Sequence, residues 1–417
     1  MWTKPVSQRC KGARDLLPED LELFRHIESV FCRSCSSWGY REVRTPTLEY
    51  LSLFTAAGTL TPNMLSRVYS FLDWDGWSGE RVVLRPDGTI PIARLYAENS
   101  SCWKLARLFY ITNVFVFEET GTENRERWQC GAELINGSPP AADMEIIALA
   151  IEILRNLGMD DVEILLSHAG ILKALINELK LDLDERAKLL DRVLDGDWQA
   201  LAPAESNEPA VQGFLSLILT SKGTRSSFVR NLKSLPNLPQ SIHSALEEFD
   251  KVAELLDVLG IRYRIDITAV RGFEYYTGVC FQFLYRGQKV GSGGRYDNLL
   301  SLVGGESTPA CGFALYMDPL MSLVTRGRQQ DSKQGVVVKC ERDTPEAIKV
   351  GFALGDMLRK RGYLVEFAFT GLRPASQRRW LVKVGDKPGE FLIVDRQSQR
   401  RRKVRSVDQV ISVVGGE

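Results

Sequence analysis

The chain has no excess of charge of either sign: Lys and Arg together number 53, as do Asp and Glu, across 417 residues. Proteins that live on nucleic acid often carry a basic excess or stripe, so this balance lends such a role no support. Long apolar runs are also missing. None nears the ~20 residues of a membrane helix, and the opening Met1-Trp2-Thr3-Lys4-Pro5 lacks the apolar core of a signal peptide. These absences predict a cytoplasmic protein with no membrane association. Histidine is scarce: His26, His168 and His243 are isolated from one another. The eight cysteines are scattered, and only Cys32 and Cys35 have C-x-x-C spacing. With no second Cys or His pair nearby, they read as ordinary helix residues of a reducing compartment, not as zinc ligands. No Walker A loop occurs, and GSGG at 291–294 lacks the spacing and β-α-β setting of a dinucleotide fingerprint. Neither a metal nor a cofactor is expected.

The length suggests about two or three domains. Pro18 followed by Glu19 and Asp20 opens a helix over 18–35, with Leu23, Phe24, Ile27, Val30 and Phe31 on one face. GYREVRTPTLE at 39–49 is strand-like. Residues 81–84 are a short strand, and a helix follows at Ile90–Glu98. The aromatic and β-branched 108–118 and the segment 128–136 read as antiparallel partners across a polar turn. Asp143 is expected to cap a helix ending before Gly158. A strand at 162–167 and a helix from Ile171 lead into a polar helical insertion over about 180–243, then a helix at 244–259. Ile261, Tyr263, Ile265 and Ile267 alternate with polar residues as in a half-buried strand, and 278–285 with 288–292 predict a hairpin around Arg286-Gly287. RGRQQDSKQ marks a linker at 326–334. It separates a domain at 1–325 from a smaller β-α-β domain at 335–417. The basic run Arg400, Arg401, Arg402, Lys403 and Arg405 reads as a solvated hairpin.

Several segments bear chemistry. LRPDGT at 84–89, NVFVFEE followed by RERWQCGAE, RGFEYYTG at 271–278, GSGGRYDNL at 291–299 and ACGFAL at 310–315 occur in that order. Asp87, Thr89, Gln129 and Glu133 offer carboxylates for a cation and donors or acceptors for a buried ring. Gln129 and Glu133 are four apart, so on a strand they share one face. Tyr275 and Tyr276 bring apolar walls with hydroxyl handles. With KGARD at 11–15, these segments together resemble the class II histidyl-tRNA synthetases over about residues 10–325. The resemblance implies an α+β fold: an antiparallel sheet of six or more strands flanked by helices, in a homodimer, with a small C-terminal α/β domain similar to an anticodon-binding domain. It further implies that Asp87, Thr89 and Gln129 address the amino-acid end of free histidine, that Glu133 and the two tyrosines address its ring, and that Arg271 lies near its carboxylate. The family has Glu where this chain has Asp87, a carboxylate one methylene shorter.

On the ATP side the pattern departs from the family. Its motif 2 reads F-R-x-E; here the run is Phe115-Val116-Phe117-Glu118. Its motif 3 arginine is matched by Pro319, and the preceding glycine by Tyr316. Arg125 and Arg127 are the nearby cations that could partly compensate. Loss of one preorganised donor to transition-state charge costs about 100- to 1,000-fold in rate, so two losses predict negligible adenylate formation and no catalytic residues. The combination resembles the regulatory subunits of ATP phosphoribosyltransferase in histidine biosynthesis. That resemblance implies L-histidine as ligand, a short-form catalytic ATP phosphoribosyltransferase as partner within a hetero-oligomer, allosteric feedback without aminoacylation, and no tRNA binding. The phosphoribosyl-pyrophosphate motif is absent, so the chain alone is not expected to run that reaction. Two other readings stay open: a histidine–tRNA ligase with unusual phosphate contacts, and another synthetase-like binding protein such as an RNA-associated sensor.

Overall fold

The computed structural model describes residues 9–10, 12–57, 68–73, 79–117, 124–194, 196–206, 208–269, 275–324, 335–342, 344–368, 378–385 and 389–415. Two compact units emerge, Met1–Thr325 and Arg326–Glu417. The expected linker at 326–334 lies outside the described residues, as does Arg271.

The first unit is built on an eight-stranded sheet. Its strands in chain order are β1 (Arg41–Glu42), β5 (Ala106–Phe115), β6 (Glu126–Ile135), β7 (Glu163–His168), β8 (Tyr263–Ile265), β9 (Val279–Tyr285), β10 (Gln288–Arg295) and β11 (Ala310–Tyr316). In space they run β1-β5-β6-β11-β10-β9-β7-β8. The six central strands pair antiparallel, and only the edge strands β1 and β8 join in parallel. The hairpin β9–β10 turns where expected: Arg286 and Gly287 take φ of 52° and 78°, the two left-handed positions that a tight hairpin turn requires. β2 (Leu48–Tyr50), β3 (Ser70–Asp73) and β4 (Glu80–Leu84) form a separate antiparallel sheet in the order β2-β4-β3.

One face of the large sheet is closed by α1 (Pro18–Ser37) and by the helix Ala141–Asn156, called α4 after α2 (Leu51–Ala56) and α3 (Thr89–Glu98). Phe31 of α1 meets Phe109 of β5 and Phe313 of β11 edge to face, at 5.9 and 6.4 Å. Burying one such ring stabilises the fold by roughly 1.5–3 kcal/mol. Cys35 lies in this core and Cys32 packs beside it, and among the described residues no cluster of three metal-ligating side chains exists. The insertion is helical: α5 (Ala169–Asn177) is followed by α6 (Leu183–Leu194), α7 (Pro209–Thr220), α8 (Ser226–Lys233) and α9 (Gln240–Val258). Two short helices, α10 (Leu299–Leu302) and α11 (Met317–Leu323), complete the unit.

Three local expectations fail for physical reasons. GYREVRTPTLE is not one strand, because Arg85 draws the carbonyls of Thr45 and Pro46 to 2.9 Å and bends the segment away from the ladder. The alternation at 261–267 yields only Tyr263–Ile265, since Asp266 leaves the ladder to accept the Thr268 N–H at 3.0 Å and to pair with Lys222. Asp143 does not cap α4. Its carboxylate accepts the Arg295 Nε–H at 2.9 Å, and both side chains are almost wholly buried.

The second unit holds a five-stranded mixed sheet in the order β13-β12-β14-β15-β16, from β12 (Gly335–Cys340), β13 (Leu364–Ala368), β14 (Trp380–Val384), β15 (Phe391–Asp395) and β16 (Arg401–Val404). Leu354 and Leu358 of α12 (Pro345–Lys360), and Val410 and Val414 of α13 (Val407–Gly415), share its core with Val336, Val338, Val382 and Ile393. β14 and α13 have no counterpart in the sequence reading. The basic run falls on β16, an exposed edge strand, where cationic side chains also discourage edge-to-edge association. Whole-chain neutrality conceals a division. Residues 326–417 hold 20 Lys and Arg against 11 Asp and Glu, and residues 1–325 hold 33 against 42. No helix among the described residues is long and apolar enough to cross a membrane.

The buried Asp143–Arg295 pair yields a stability prediction. Asp143→Ala removes one of the two carboxylates that pair with the buried Arg295 guanidinium, the other being Asp297 at 2.9 Å, and should lower unfolding free energy by about 1.5–3 kcal/mol. Urea denaturation followed by tryptophan fluorescence measures it; a loss under about 1 kcal/mol would contradict the assignment.

Candidate functional site

The open face of the large sheet builds a cavity by register. On β6, Gln129, Gly131 and Glu133 alternate onto one face. Tyr110 of β5 stands opposite Gly131, and on the other side β11 sets Tyr316, Ala314 and Gly312 against Gln129, Gly131 and Glu133. β10 continues the rows with Ser292 opposite Ala314 and Gly294 opposite Gly312. Small residues thus occupy the middle, and large polar ones ring them. A Cβ at Gly131 would stand 2.4 Å from the Tyr110 hydroxyl oxygen, so the ring reaches over the strand only because glycine is there.

The cavity measures about 60 Å³ and is lined by Asp87, Thr89, Gln129, Tyr275, Tyr276, Tyr296 and Ser292 among others. Five of the seven residues expected from sequence therefore meet around one space. Glu133 lies just beneath it, hydrogen-bonded to two of the lining side chains. The seventh, Arg271, is outside the described residues. Tyr275 and Tyr276 pack at 5.0 Å between ring centroids, and Tyr296 meets Tyr275 edge to face at 5.7 Å.

Glu133 is the centre of the polar network. Thr89 Oγ1 donates to Oε1 at 2.8 Å, Tyr110 OH donates to the same oxygen at 3.4 Å, and Tyr296 OH donates to Oε2. The residue is 1% exposed. Burial pushes its carboxyl up to about 8; the hydroxyls of Tyr296 and Thr89 pull the other way. Asp87 is also buried, and loss of water raises its carboxyl to about 6 against the pull of the Ile90, Thr89 and Gly88 amides. Its Oδ1 accepts the Ile90 N–H at 2.8 Å, so the shortened carboxylate serves the N-terminus of α3 as well as the cavity wall. Gln129 donates to the Tyr110 hydroxyl at 3.4 Å.

Sequence reasoning missed Tyr110, Tyr296 and Ser292. Tyr296 sits inside GSGGRYDNL, already singled out, and a tyrosine just after a glycine-rich strand was its only signal. Tyr110 had a subtler one: a glycine between two polar residues of one strand face leaves room for a large neighbour.

A larger cleft of about 520 Å³ adjoins the cavity, the two sharing Pro86, Gln129 and Tyr316. Val116 and Pro319 line it with Val114, Trp128, Asn124, Arg127 and Asp318. Each of the two candidate compensating cations already has a protein partner, and Arg127 lines the cleft. The Arg125 guanidinium lies 4.2 Å over the Phe117 ring, and Arg127 Nε donates to the Asn124 carbonyl at 3.0 Å. Asp318 pairs with Arg14 and accepts from Asn124 at 3.4 Å.

The raised Glu133 carboxyl carries a pH consequence. Between roughly pH 4.5 and 8 the folded protein keeps a proton on Glu133 that the unfolded chain has released. Stability contributed by this group is therefore present at low pH and falls as pH rises toward 8. Each pH unit counts up to about 1.4 kcal/mol. Glu133→Gln should flatten that decline in thermal melts from pH 5 to 8; an unchanged slope would show that Glu133 is not the group responsible.

Comparison with known proteins agrees with this geometry. A family model described as histidyl-tRNA synthetase matches residues 12–320. A protein of Dehalococcoides mccartyi named ATP phosphoribosyltransferase regulatory subunit is 44% identical over 411 residues, 98% of each chain. The histidine–tRNA ligase of Methanocaldococcus jannaschii is 32% identical over 372 residues, covering 87% of this chain and 86% of its own. A crystal structure from Bacillus halodurans, described as an ATP phosphoribosyltransferase regulatory subunit/histidyl-tRNA synthetase, superposes with a TM-score of 0.77 at 25% identity, covering 92% of this chain and all of its own. The apo histidyl-tRNA synthetase of S. aureus shares the fold at a TM-score of 0.68. The α+β architecture is that of the class II histidyl-tRNA synthetases, and the chain belongs to the histidyl-tRNA synthetase family.

Proposed function

We propose that this protein is the regulatory subunit of an ATP phosphoribosyltransferase: it binds L-histidine between Asp87, Thr89, Gln129, Glu133, Tyr275 and Tyr276, without forming an adenylate. Arg271 is assigned to the ligand carboxylate on the family resemblance alone. One observation carries the reading. A buried carboxylate held by three hydroxyls lies against a cavity with aromatic walls, while Val116 and Pro319 face the adjoining cleft. The first half suits recognition of an amine-bearing aromatic ring. The second removes the bidentate phosphate contacts that an arginine supplies and neither valine nor proline replaces. The 44% identity to proteins named as regulatory subunits points the same way.

The partner in this reading is a short-form catalytic ATP phosphoribosyltransferase, with the regulatory chain as a homodimer inside the hetero-oligomer. An apolar strip supports self-association. Leu48, Tyr50 and Phe71 are about half exposed and share one face of the β2-β4-β3 sheet. The second unit is read as a degenerate relative of an anticodon-binding domain, with tRNA binding not part of the function.

Two experiments test this. Calorimetry with L-histidine should show saturable binding that histamine and phenylalanine fail to reproduce, because a site built to hydrogen-bond its ligand rejects analogues by large factors. Glu133→Ala should weaken that binding by at least tenfold and raise the histidine inhibition constant of the complex reconstituted with the catalytic subunit; equal binding of the analogues would exclude the site. In a pyrophosphate–ATP exchange assay the chain should give no histidine-dependent signal above roughly 10⁻⁴ of ordinary synthetase rates. Exchange at ordinary rates would instead make it a ligase.

A further inference from the structure

A buried imidazole stands behind the tyrosine wall, on the side of the helical insertion. His168 closes β7, is 1% exposed, and neither ring nitrogen has a hydrogen-bond partner. Such orphaned polar groups are rare in folded interiors and call for an explanation. Two elements meet at the ring. From α9, Glu248 places Oε2 3.7 Å from Nε2, and Phe249 packs at 5.6 Å between centroids. From the other side comes the segment that carries Tyr275 and Tyr276. Around Gly170 the ring edge and the Thr277 carbonyl converge: a Cβ there would lie 3.0 Å from the Thr277 oxygen, 3.0 Å from Cε1 and 3.1 Å from Nδ1 of His168.

The same segment is fastened to α5 at two further points. Ala169 N–H donates to the Gly278 carbonyl at 2.8 Å, and Lys173 Nζ donates to the Tyr276 carbonyl at 2.8 Å. On its far side it is tied to β10, where Thr277 N–H donates to the Arg295 carbonyl at 2.8 Å. The charged groups facing the ring are Glu248 from α9, then Asp143 from α4 and Arg295 from β10, which pair with each other. The backbone bearing the two site tyrosines is thus held against the root of the insertion, and His168 is the unfinished contact between them.

We infer that His168 is a positioning residue for the proposed histidine pocket: on ligand binding the Tyr275–Gly278 segment shifts so that Nδ1–H donates a hydrogen bond to the Thr277 carbonyl, coupling ligand affinity to the packing of α9. The inference rests on the functional reading above. Glu248 has a defined part. Its Oε2 lies on the Nε2 side of the ring, which leaves Nδ1 turned toward Thr277, and only a ring with Nδ1–H can donate to that carbonyl. The insertion thereby has a route to the pocket, because any partner or neighbour that moves α9 moves the ring beside the Thr277 carbonyl, next in the chain to Tyr276. Coupling of this kind is commonly five- to 150-fold in affinity.

The test is L-histidine calorimetry on the full chain, with ligand-free thermal melts as a check on folding. His168→Ala should weaken binding on the order of tenfold. His168→Asn, whose amide nitrogen replaces Nδ1, should recover affinity to within about threefold, whereas His168→Gln, which replaces Nε2, should not. Gly170→Ala should weaken binding by wedging a methyl between the ring and Thr277. Glu248→Gln, on a mostly exposed side chain, keeps the test open if the buried variants fold poorly, and should also weaken binding several-fold. Binding by folded His168→Ala within twofold of wild type, equal behaviour of the Asn and Gln variants, or no effect of Glu248→Gln would overturn the inference. Failure of the wild-type chain to bind L-histidine would overturn the pocket reading and this inference with it.

Discussion

The site depends on keeping one carboxylate dry. Glu133 sits in the middle of a sheet, where water is excluded and its charge is costly. The surrounding structure answers that cost with hydroxyls alone. Thr89 comes from the start of α3, Tyr110 from β5 and Tyr296 from just beyond β10, so three separate elements are drawn to one side chain. No cation stands among these partners. A hydroxyl can donate to an ionised carboxylate, or turn to accept from a protonated one. The network therefore tolerates either state of Glu133.

The neighbouring cleft is joined to this cavity through its walls. The two spaces share Pro86, Gln129 and Tyr316, so a molecule in one is felt in the other. Where a phosphate clamp would need free guanidinium groups, Arg125 lies on Phe117, Arg127 leans on its own loop, and Asp318 adds a negative charge neutralised by Arg14. Among the described residues, the charged side chains lining the cleft are thus one cation, Arg127, and one carboxylate, Asp318, itself paired with Arg14.

Much of this was legible in the residues. An even spacing of four gave Gln129 and Glu133 a common face, and β6 bears it out. The hairpin at Arg286-Gly287 and the long helices followed from turn chemistry and periodicity. What stayed hidden depends on contacts between segments far apart in the chain. Tyr110 matters only through its register with Gly131. Asp143 looked like a cap until Arg295, 152 residues away, claimed it. Pro46 and Arg85 together broke an otherwise convincing strand. The charge division escaped notice because a sum over the whole chain erased it. Periodicity reports on one element at a time, and these features belong to pairs.

The floor of the cavity is made of what is missing. A Cβ at Gly312 would stand 1.7 Å from Glu133 Oε2 and 2.7 Å from the Ala132 carbonyl oxygen. Position 312 is therefore closed by the backbone of its neighbouring strand as well as by Glu133, and a change at 133 alone does not open it. Such a floor makes the pocket conservative by geometry, leaving the rim and the adjoining cleft as the places where relatives are free to diverge.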